Sequence, residues 1–476
     1  MKTYIALTIG PIYKTLSSAK KTRDLWGGSY LFSYIMKEII SKFKDREFVV
    51  PYVGEDIFTQ SDVGLFHDRF IFIAHNGDKE KLETTVEEVI AELEKNMKIN
   101  EDFLKNYLQV SIVEKELEDE ANPILKLTPY LDTKELFFKV SQYDKNLLQA
   151  KLQGDNSFLK KEAFGNNRSF PSLPEIALAD NEPMQKKINK DDELSVYEDE
   201  TFKKEIKPYH KYIAIVHADG DNMGEVVKSL SSFEDFTKFS KKLFEYCASS
   251  HDLIKKYGGE TIFAGGDDLL FFAPVVNDKE TIFDLIAEIS KEFDDLFEDS
   301  NQKILSTGKQ ATLSFGLSIT YYKYPLYEAL EDSRDLLFGK AKQTGEKNNI
   351  AFTITKHSGQ RFGGVLPKTN SDNFEKFLNL TSNISDEKES SNFLHSLHHK
   401  IYTFKTIFNK VADDEVKLKN FFDNYFSKSE HKQYQKFFDA LSEFILEVYQ
   451  DTSVTEKLEL INATLRFVKF IKGDKS

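Results

Sequence analysis

The sequence predicts an α+β protein, with two ferredoxin-like units, a mixed helical linker between them and a C-terminal helical bundle. Three observations carry this. Residues 1–115 read in the order β-α-β-β-α-β, a ferredoxin-like signature. Residues 206–360 give strand, helix, hairpin, helix, strand, helix and strand. From 361 to 476 apolar residues recur three and four apart, as in Phe404, Ile407, Phe408 and Val411, and in Phe437, Leu441, Phe444, Ile445 and Val448. A chain of 476 residues is also too long for one core, so two to four domains are expected.

In the first unit, Thr3–Ile9 is a strand that Gly10-Pro11 breaks. A helix carries Lys20, Lys21, Arg23 and Trp26, is interrupted by Gly27-Gly28, and resumes over Ser29–Met36. Phe70–Ala74 is a strand, Glu80–Met97 an amphipathic helix, and Tyr107–Val113 another strand. The linker, 116–205, is less regular: Leu147–Leu152 is helical, Ser169–Pro174 is a rigid loop, and the charged Lys186–Lys204 is exposed. The second unit starts with strand Lys211–His217, which ends in a turn over Ala218–Gly224, and a helix Phe233–His251. After the hairpin come a helix Thr281–Phe297, a strand Thr312–Ile319, a helix Leu326–Lys342 and a last strand Ile350–Ile354. Gly316 lies inside its strand, where a missing side chain would let a base or ribose approach. The bundle, helical throughout, offers one face to a partner.

The balance of 40% hydrophobic and 30% charged residues is that of a soluble globular chain. No run of eighteen apolar residues predicts a transmembrane helix, and the apolar N-terminal run is too short for a signal peptide, so the expected location is cytoplasmic with no membrane partner. Cys247 is the only cysteine, which excludes an intrachain disulfide and a four-cysteine zinc site. Net charge is −14, from 64 Lys and Arg against 78 Asp and Glu. Such a chain is a poor general binder of nucleic acid; RNA contact needs a local basic patch or partner subunits. The 41 Phe and 21 Tyr suggest aromatic helix packing or large interfaces.

The chemistry gathers in two acidic turns. Phe263–Phe272 runs apolar strand, Gly265-Gly266-Asp267-Asp268, apolar strand. Adjacent carboxylates at a buried hairpin tip are costly, and a cation would offset that cost. Upstream, Asp219-Gly220-Asp221-Asn222-Met223-Gly224 follows a strand, and one helix separates it from the hairpin. Two neighbouring strands can therefore set Asp219 beside Asp267 and Asp268. Gly-Gly-Asp-Asp alone is equally a polar hairpin turn. With the second turn, the pair reads as a site for metal and nucleoside triphosphate. Other features are weaker. His395 and His399 share a helix face without the glutamate of a zinc-protease motif, and Gly308-Lys309 is no P-loop. Trp26 is a core residue or a base-stacking one, and Lys20, Lys21 and Arg23 are a solvated face or an RNA contact.

The second unit resembles the polymerase/cyclase Palm, the fold of diguanylate cyclases. The whole chain resembles the large Palm-containing subunit of type III CRISPR effector complexes, specifically the Cmr branch. Lys21–Tyr30, Phe170–Ala177 and the two acidic turns carry that likeness over residues 1–360. The resemblance implies two Palm domains and a target-RNA-activated nucleotidyl transferase using Mg²⁺ or Mn²⁺. ATP would be converted to cyclic oligoadenylate, or AMP joined to S-adenosylmethionine as acceptor. Asp219, Asp267 and Asp268 would be catalytic and, with Gly220, hold metal. Gly220, Asp221, Asn222, Met223, Gly224, Gly265 and Gly266 would meet nucleotide, Lys342 and Lys347 the donor phosphates, and Ser29 and Arg23 the acceptor between the Palms. One metal would activate the 3′-hydroxyl, the other bind the triphosphate, and pyrophosphate would leave. Partners would be other Cmr subunits, guide RNA and target RNA. The family's frequent HD nuclease domain and four-cysteine zinc finger are not expected, so neither DNase activity nor zinc is. The alternatives are a silent scaffold subunit and a free-standing diguanylate-cyclase-like enzyme.

Overall fold

The computed structural model describes residues 1–17, 19–59, 61–100, 102–136, 157–165, 170–188, 197, 205–297, 310–368, 372–382, 388–426 and 434–472. Leu147–Leu152 and most of Lys186–Lys204 lie outside these residues.

The first sheet is built from β1 (Lys2–Gly10), β2 (Phe48–Val50), β3 (Arg69–Ile73) and β4 (Gln109–Leu117). Its order is β2-β3-β1-β4, antiparallel throughout, with helices α1 (Thr22–Ser41) and α2 (Asp78–Asn96) as the crossovers. This is the ferredoxin-like arrangement. Alternation along β1 divides its side chains between two cores: Ile5, Leu7 and Ile9 enter one, Tyr4 and Ala6 the other. α3 (Pro123–Leu136) then packs along β1 and β4.

The second sheet contains β5 (Tyr212–Asp221), β6 (Glu260–Gly265), β7 (Asp268–Pro274), β8 (Thr312–Tyr321), β9 (Asn349–Thr355) and β10 (Arg361–Pro367). Its order is β10-β9-β8-β5-β7-β6. The crossovers are α4 (Phe233–Lys256), α5 (Ile282–Asp295) and α6 (Leu326–Asp335). β6, β7, β5 and β8 repeat the ferredoxin-like core, and β9 adds in parallel to β8. β5 again splits: Ile213 and Ile215 share a core with α1 and β1, while Ala214, Val216 and Ala218 face α4 and α5. Each large core thus draws on both units.

Four expectations are corrected. Gly27 and Gly28 do not interrupt α1, which is continuous from Thr22 to Ser41. Two helical glycines cost about 1 kcal/mol each. Burial of Leu25, Trp26, Leu31, Phe32, Ile35 and Met36 outweighs that, at roughly 1.5–3 kcal/mol per large side chain. Trp26 is a core residue: it stacks on Tyr30, Phe164 and Phe170 and donates its indole N–H to the Asp62 carbonyl. Asp219-Gly220-Asp221 is not a turn but the end of β5, paired with Ser314, Leu313 and Thr312. Gly316 admits no nucleotide; a β-carbon there would sit 2.0 Å from the Ser333 carbonyl oxygen, so the glycine seats α6 against β8. Finally, Arg361–Pro367 is an edge strand rather than helix. Gly363 lets it lie against Phe352 of β9, with the position of a β-carbon only 2.0 Å from the Phe352 carbonyl oxygen.

The region after β10 is helical: α7 (Asn373–Ser382), α8 (Lys388–Thr403), the short helix Lys405–Val411, α9 (Glu415–Tyr425), α10 (Gln435–Gln450) and α11 (Lys457–Lys472). α11 packs on β10 and α8. Its core is aromatic, with Phe377 between Phe283, Phe444 and Phe467. Among the described residues no helix is long and apolar enough to cross a membrane.

Candidate active site

The Gly-Gly-Asp-Asp segment is a hairpin turn. Gly265 pairs with Asp268, leaving Gly266 and Asp267 at the tip. Gly266 has φ +68°, a left-handed conformation that favours glycine. β5 runs beside β7 up to the pair Ala218–Leu269, so the next residue, Asp219, stands next to Asp268. Gly220 makes the close approach possible. A β-carbon there would lie 2.6 Å from Asp267 Oδ2 and 2.6 Å from Met223 Cγ.

Lys342 closes the cluster. A widened π-helical turn, Leu336–Lys340, and a 3₁₀ turn, Ala341–Gln343, continue α6 and carry it there. Its ammonium pairs with Asp219, lies 3.7 Å from Asp221 Oδ1, and donates to the Gly220 carbonyl at 2.8 Å. Asp221 is fully buried beneath. Its Oδ2 accepts from Thr312 Oγ1 (2.9 Å), Ser314 Oγ (2.7 Å) and the Asn348 N–H (3.0 Å). Asp221 thereby ties β5, β8 and the start of β9 behind the cluster.

One ammonium faces four carboxylates. Burial and the charge of Asp219 push Asp267 up to about 6. Burial, Asp267 and Asp219 push Asp268 well above the usual carboxylate range, and Lys342 opposes both shifts. Among the described residues no three acidic, histidine or cysteine side chains converge in finished ligand geometry. The donor set nevertheless fits a hard divalent cation: carboxylate oxygens beside a backbone carbonyl, with a positive charge owed to the buried pair. Asp221 Oδ1 is buried without a hydrogen bond, a further acceptor facing the same place.

The other expected residues fall as follows. Asn222, at φ +61°, donates its side chain to the Gln310 carbonyl, and Met223 and Gly224 open the short helix Met223–Ser229. A β-carbon at Gly224 would meet nothing within 4 Å. Lys347, at φ +69°, lies in the loop whose next residue bonds Asp221. Ser29 lines a cavity of about 800 Å³ between the two units, together with Ser33, Asp68, His217, Asp268 and Arg334. The Ser29 hydroxyl is buried without a hydrogen-bond partner. Arg23 is not in that wall; its Nε lies 3.7 Å from Asp24.

Sequence reasoning missed three parts. His67, from the first unit, seats the turn: the β-carbon position of Gly266 is 2.6 Å from His67 Cε1. Burial holds its imidazole neutral, down to about 4. Behind the turn, Cys247 Sγ donates to the Gly266 carbonyl at 3.3 Å. Third, His251 joins the units, bonded to Thr261 Oγ1 and Asp62 Oδ1, both at 2.9 Å, while Lys255 also pairs with Asp62. No local pattern marks His67 or Asp62, because their partners are about 190 residues away.

Residues 4–209 match the family model of the CRISPR-associated protein Cmr2 N-terminal region, and residues 212–351 the model of the Cas10/Cmr2 second palm domain. A curated relative, the CRISPR system Cmr subunit Cmr2 of Pyrococcus furiosus, is 35% identical over 184 residues, which cover 33% of this chain and 20% of that protein. The chain thus matches only a fifth of that relative's length. Among solved structures, a type III-B Cmr-beta complex bound to cognate target RNA contains a chain with TM-score 0.64 and 13% identity, covering 98% of this chain and 83% of its own. A Csm1–Csm4 cassette in complex with cA4 gives TM-score 0.55 at 13% identity, covering 99% and 70%. At such identities these two show the fold alone. Two family models that meet almost end to end across both sheets, and a curated relative of the same name, settle the family: the chain belongs to the Cas10/Cmr2 family, as a Cmr2 subunit of type III-B.

Proposed function

We propose that this chain is the nucleotidyl transferase of a type III-B CRISPR effector complex, making a nucleotide messenger from ATP when the complex holds target RNA. The observation that carries this is the cluster of Asp219, Asp267 and Asp268, whose member Asp268 reaches the wall of an inter-unit cavity large enough for nucleotides. The solved Csm1–Csm4 cassettes with one ATP and with cA4 support the reading by the ligands in their names.

Asp219, Asp267, Asp268 and the Gly220 carbonyl would hold Mg²⁺ or Mn²⁺, which supplies charge neutralisation and a lowered pKa for an acceptor hydroxyl. The chain's own part is positioning. Lys342 moves its charge from Asp219 to the donor phosphates, with Lys347 from the adjoining loop. Asn222, Met223 and Gly224 bring backbone to the same phosphates, and Gly265 and Gly266 let Phe263 and His67 pack against the hairpin that presents the carboxylates. Ser29 offers an uncommitted hydroxyl to the acceptor. The acceptor 3′-oxygen then bonds to the α-phosphorus and pyrophosphate departs. The product is cyclic oligoadenylate, or AMP joined to S-adenosylmethionine. Guide RNA, target RNA and other Cmr subunits are the partners, in the cytoplasm.

The test uses the assembled complex with guide and matching target RNA, Mg²⁺ and labelled ATP, with and without S-adenosylmethionine, read by mass spectrometry. Target-dependent adenylate products, lost in Asp267→Ala/Asp268→Ala, are expected. An intact complex that makes no such product refutes the proposal.

A further inference from the structure

One face of this acidic chain collects cations that no carboxylate answers among the described residues. Lys356 follows β9, and Arg466 and Lys469 lie one turn apart on α11. His398 lies on α8, which packs against α11. The Arg466 guanidinium stands 4.0 Å from the centroid of the Phe362 ring on β10, and Lys356 Nζ 5.9 Å from that ring. All four side chains are half-buried. Burial lowers the affinity of Lys356 and Lys469 for their protons, and Arg466 lowers it further; among the described residues no carboxylate acts in the opposite direction on either, nor on Arg466. Neighbouring cations differ. Arg361 pairs with Asp332 at 2.9 Å, and Lys376 pairs with Glu447. Half-buried like charges repel, and the cost is recovered when an anion binds them.

Flat rings accompany these charges. Tyr402, 56% exposed, lies one turn along α8 from His398, their rings 6.4 Å apart and 14° from parallel. The exposed His395 and His399 rings repeat the spacing at 6.5 Å. An acidic peptide would answer the charges and leave the rings idle. A single-stranded nucleic acid uses both, phosphates on the cations and bases on the rings. The face is also remote from the carboxylate cluster. Asn348, just before β9, bonds Asp221, whereas Lys356 follows the strand's far end, roughly 25 Å away at 3.3 Å per residue.

We propose that Lys356, His398, Tyr402, Arg466 and Lys469 form a binding face for the backbone and bases of single-stranded RNA. It deepens the proposed function by giving RNA a direct contact on this chain. It is measured without ATP or metal, so the failure of either leaves the other standing.

The experiment is fluorescence anisotropy of a labelled single-stranded RNA of about 20 nucleotides with the full chain, from about 50 to 200 mM salt. Arg466→Gln/Lys469→Gln/Lys356→Gln is expected to weaken binding at least about tenfold and to reduce the slope of log K against log salt by about 2. Tyr402→Ala is expected to weaken binding about fivefold or more with the slope unchanged. Thermal unfolding confirms that each variant folds, and a 4-thiouridine RNA is expected to cross-link to the peptide holding Tyr402. Wild-type affinity and slope in the folded triple variant overturn the proposal, as does no measurable wild-type binding at low salt. Competition by poly-glutamate equal to that by RNA overturns it in favour of an acidic protein partner.

Discussion

Asp267→Asn should make the metal-free protein more stable. In the folded chain the Asp267 carboxyl, held beside Asp219 and out of water, is pushed up from 3.8 to about 6. The folded state therefore binds this proton more tightly than the unfolded state. Between those two values stability falls as pH rises, and above about 6 the whole contribution is lost, about 3 kcal/mol. Asparagine keeps the shape and an acceptor oxygen but carries no charge. At pH 8 without divalent metal, the variant should unfold roughly 6–12 °C above wild type, taking 2–4 °C per kcal/mol for a unit of this size. At pH 4 the gap should close, because wild-type Asp267 is then protonated. Millimolar Mg²⁺ should raise the wild-type midpoint and move the variant less, since the ion stabilises only the state that binds it. Differential scanning fluorimetry with EDTA or Mg²⁺ at the two pH values measures all four conditions. A variant no more stable than wild type at pH 8, or a gap unchanged at pH 4, would show that the carboxylates are not strained against one another.

Three further outcomes follow from the same geometry. Gly220→Ala drives a methyl group to within 2.6 Å of Asp267 Oδ2, so nucleotidyl transfer should drop by about 10² while circular dichroism stays unchanged. Lys342→Ala removes the ammonium paired with Asp219; KM for ATP should rise about tenfold or more, measured by initial rates of pyrophosphate release. Trp26→Ala removes a fully buried ring stacked on three others and should cost about 3–5 kcal/mol in urea unfolding, with little change in the Mg²⁺ response of the protein that remains folded.

The acidic hairpin could be read from sequence because its determinants are local. Two glycines, two aspartates and flanking apolar runs specify a tight turn between buried strands, and the structure has that turn. The helical periodicity of the bundle and the ferredoxin-like order were local in the same sense. The misreadings have the opposite origin. Gly27-Gly28 reads as a helix break by propensity, but its neighbours are fixed by Phe164 and Phe170, some 140 residues on. Gly316 reads as room for a ligand, yet what fills that room is the Ser333 carbonyl of the following helix. Arg361–Pro367 has too few apolar residues to announce a strand, and becomes one because Gly363 can lie against β9.

The same distinction bears on how the site is built. Asp267 and Asp268 come from one turn, but what holds them in a strained, charged arrangement comes from elsewhere. His67 seats the turn from the first unit, Cys247 bonds it from α4, and Asp221 ties β5 to β8 and β9 behind it. Asp62, bonded to His251 and Lys255, keeps the first unit in the place that His67 requires. The acidic turn therefore depends on the packing of both units. A shift of the first unit would move His67 off Gly266 and relax the turn, so any partner that moves one unit against the other acts on the carboxylates directly.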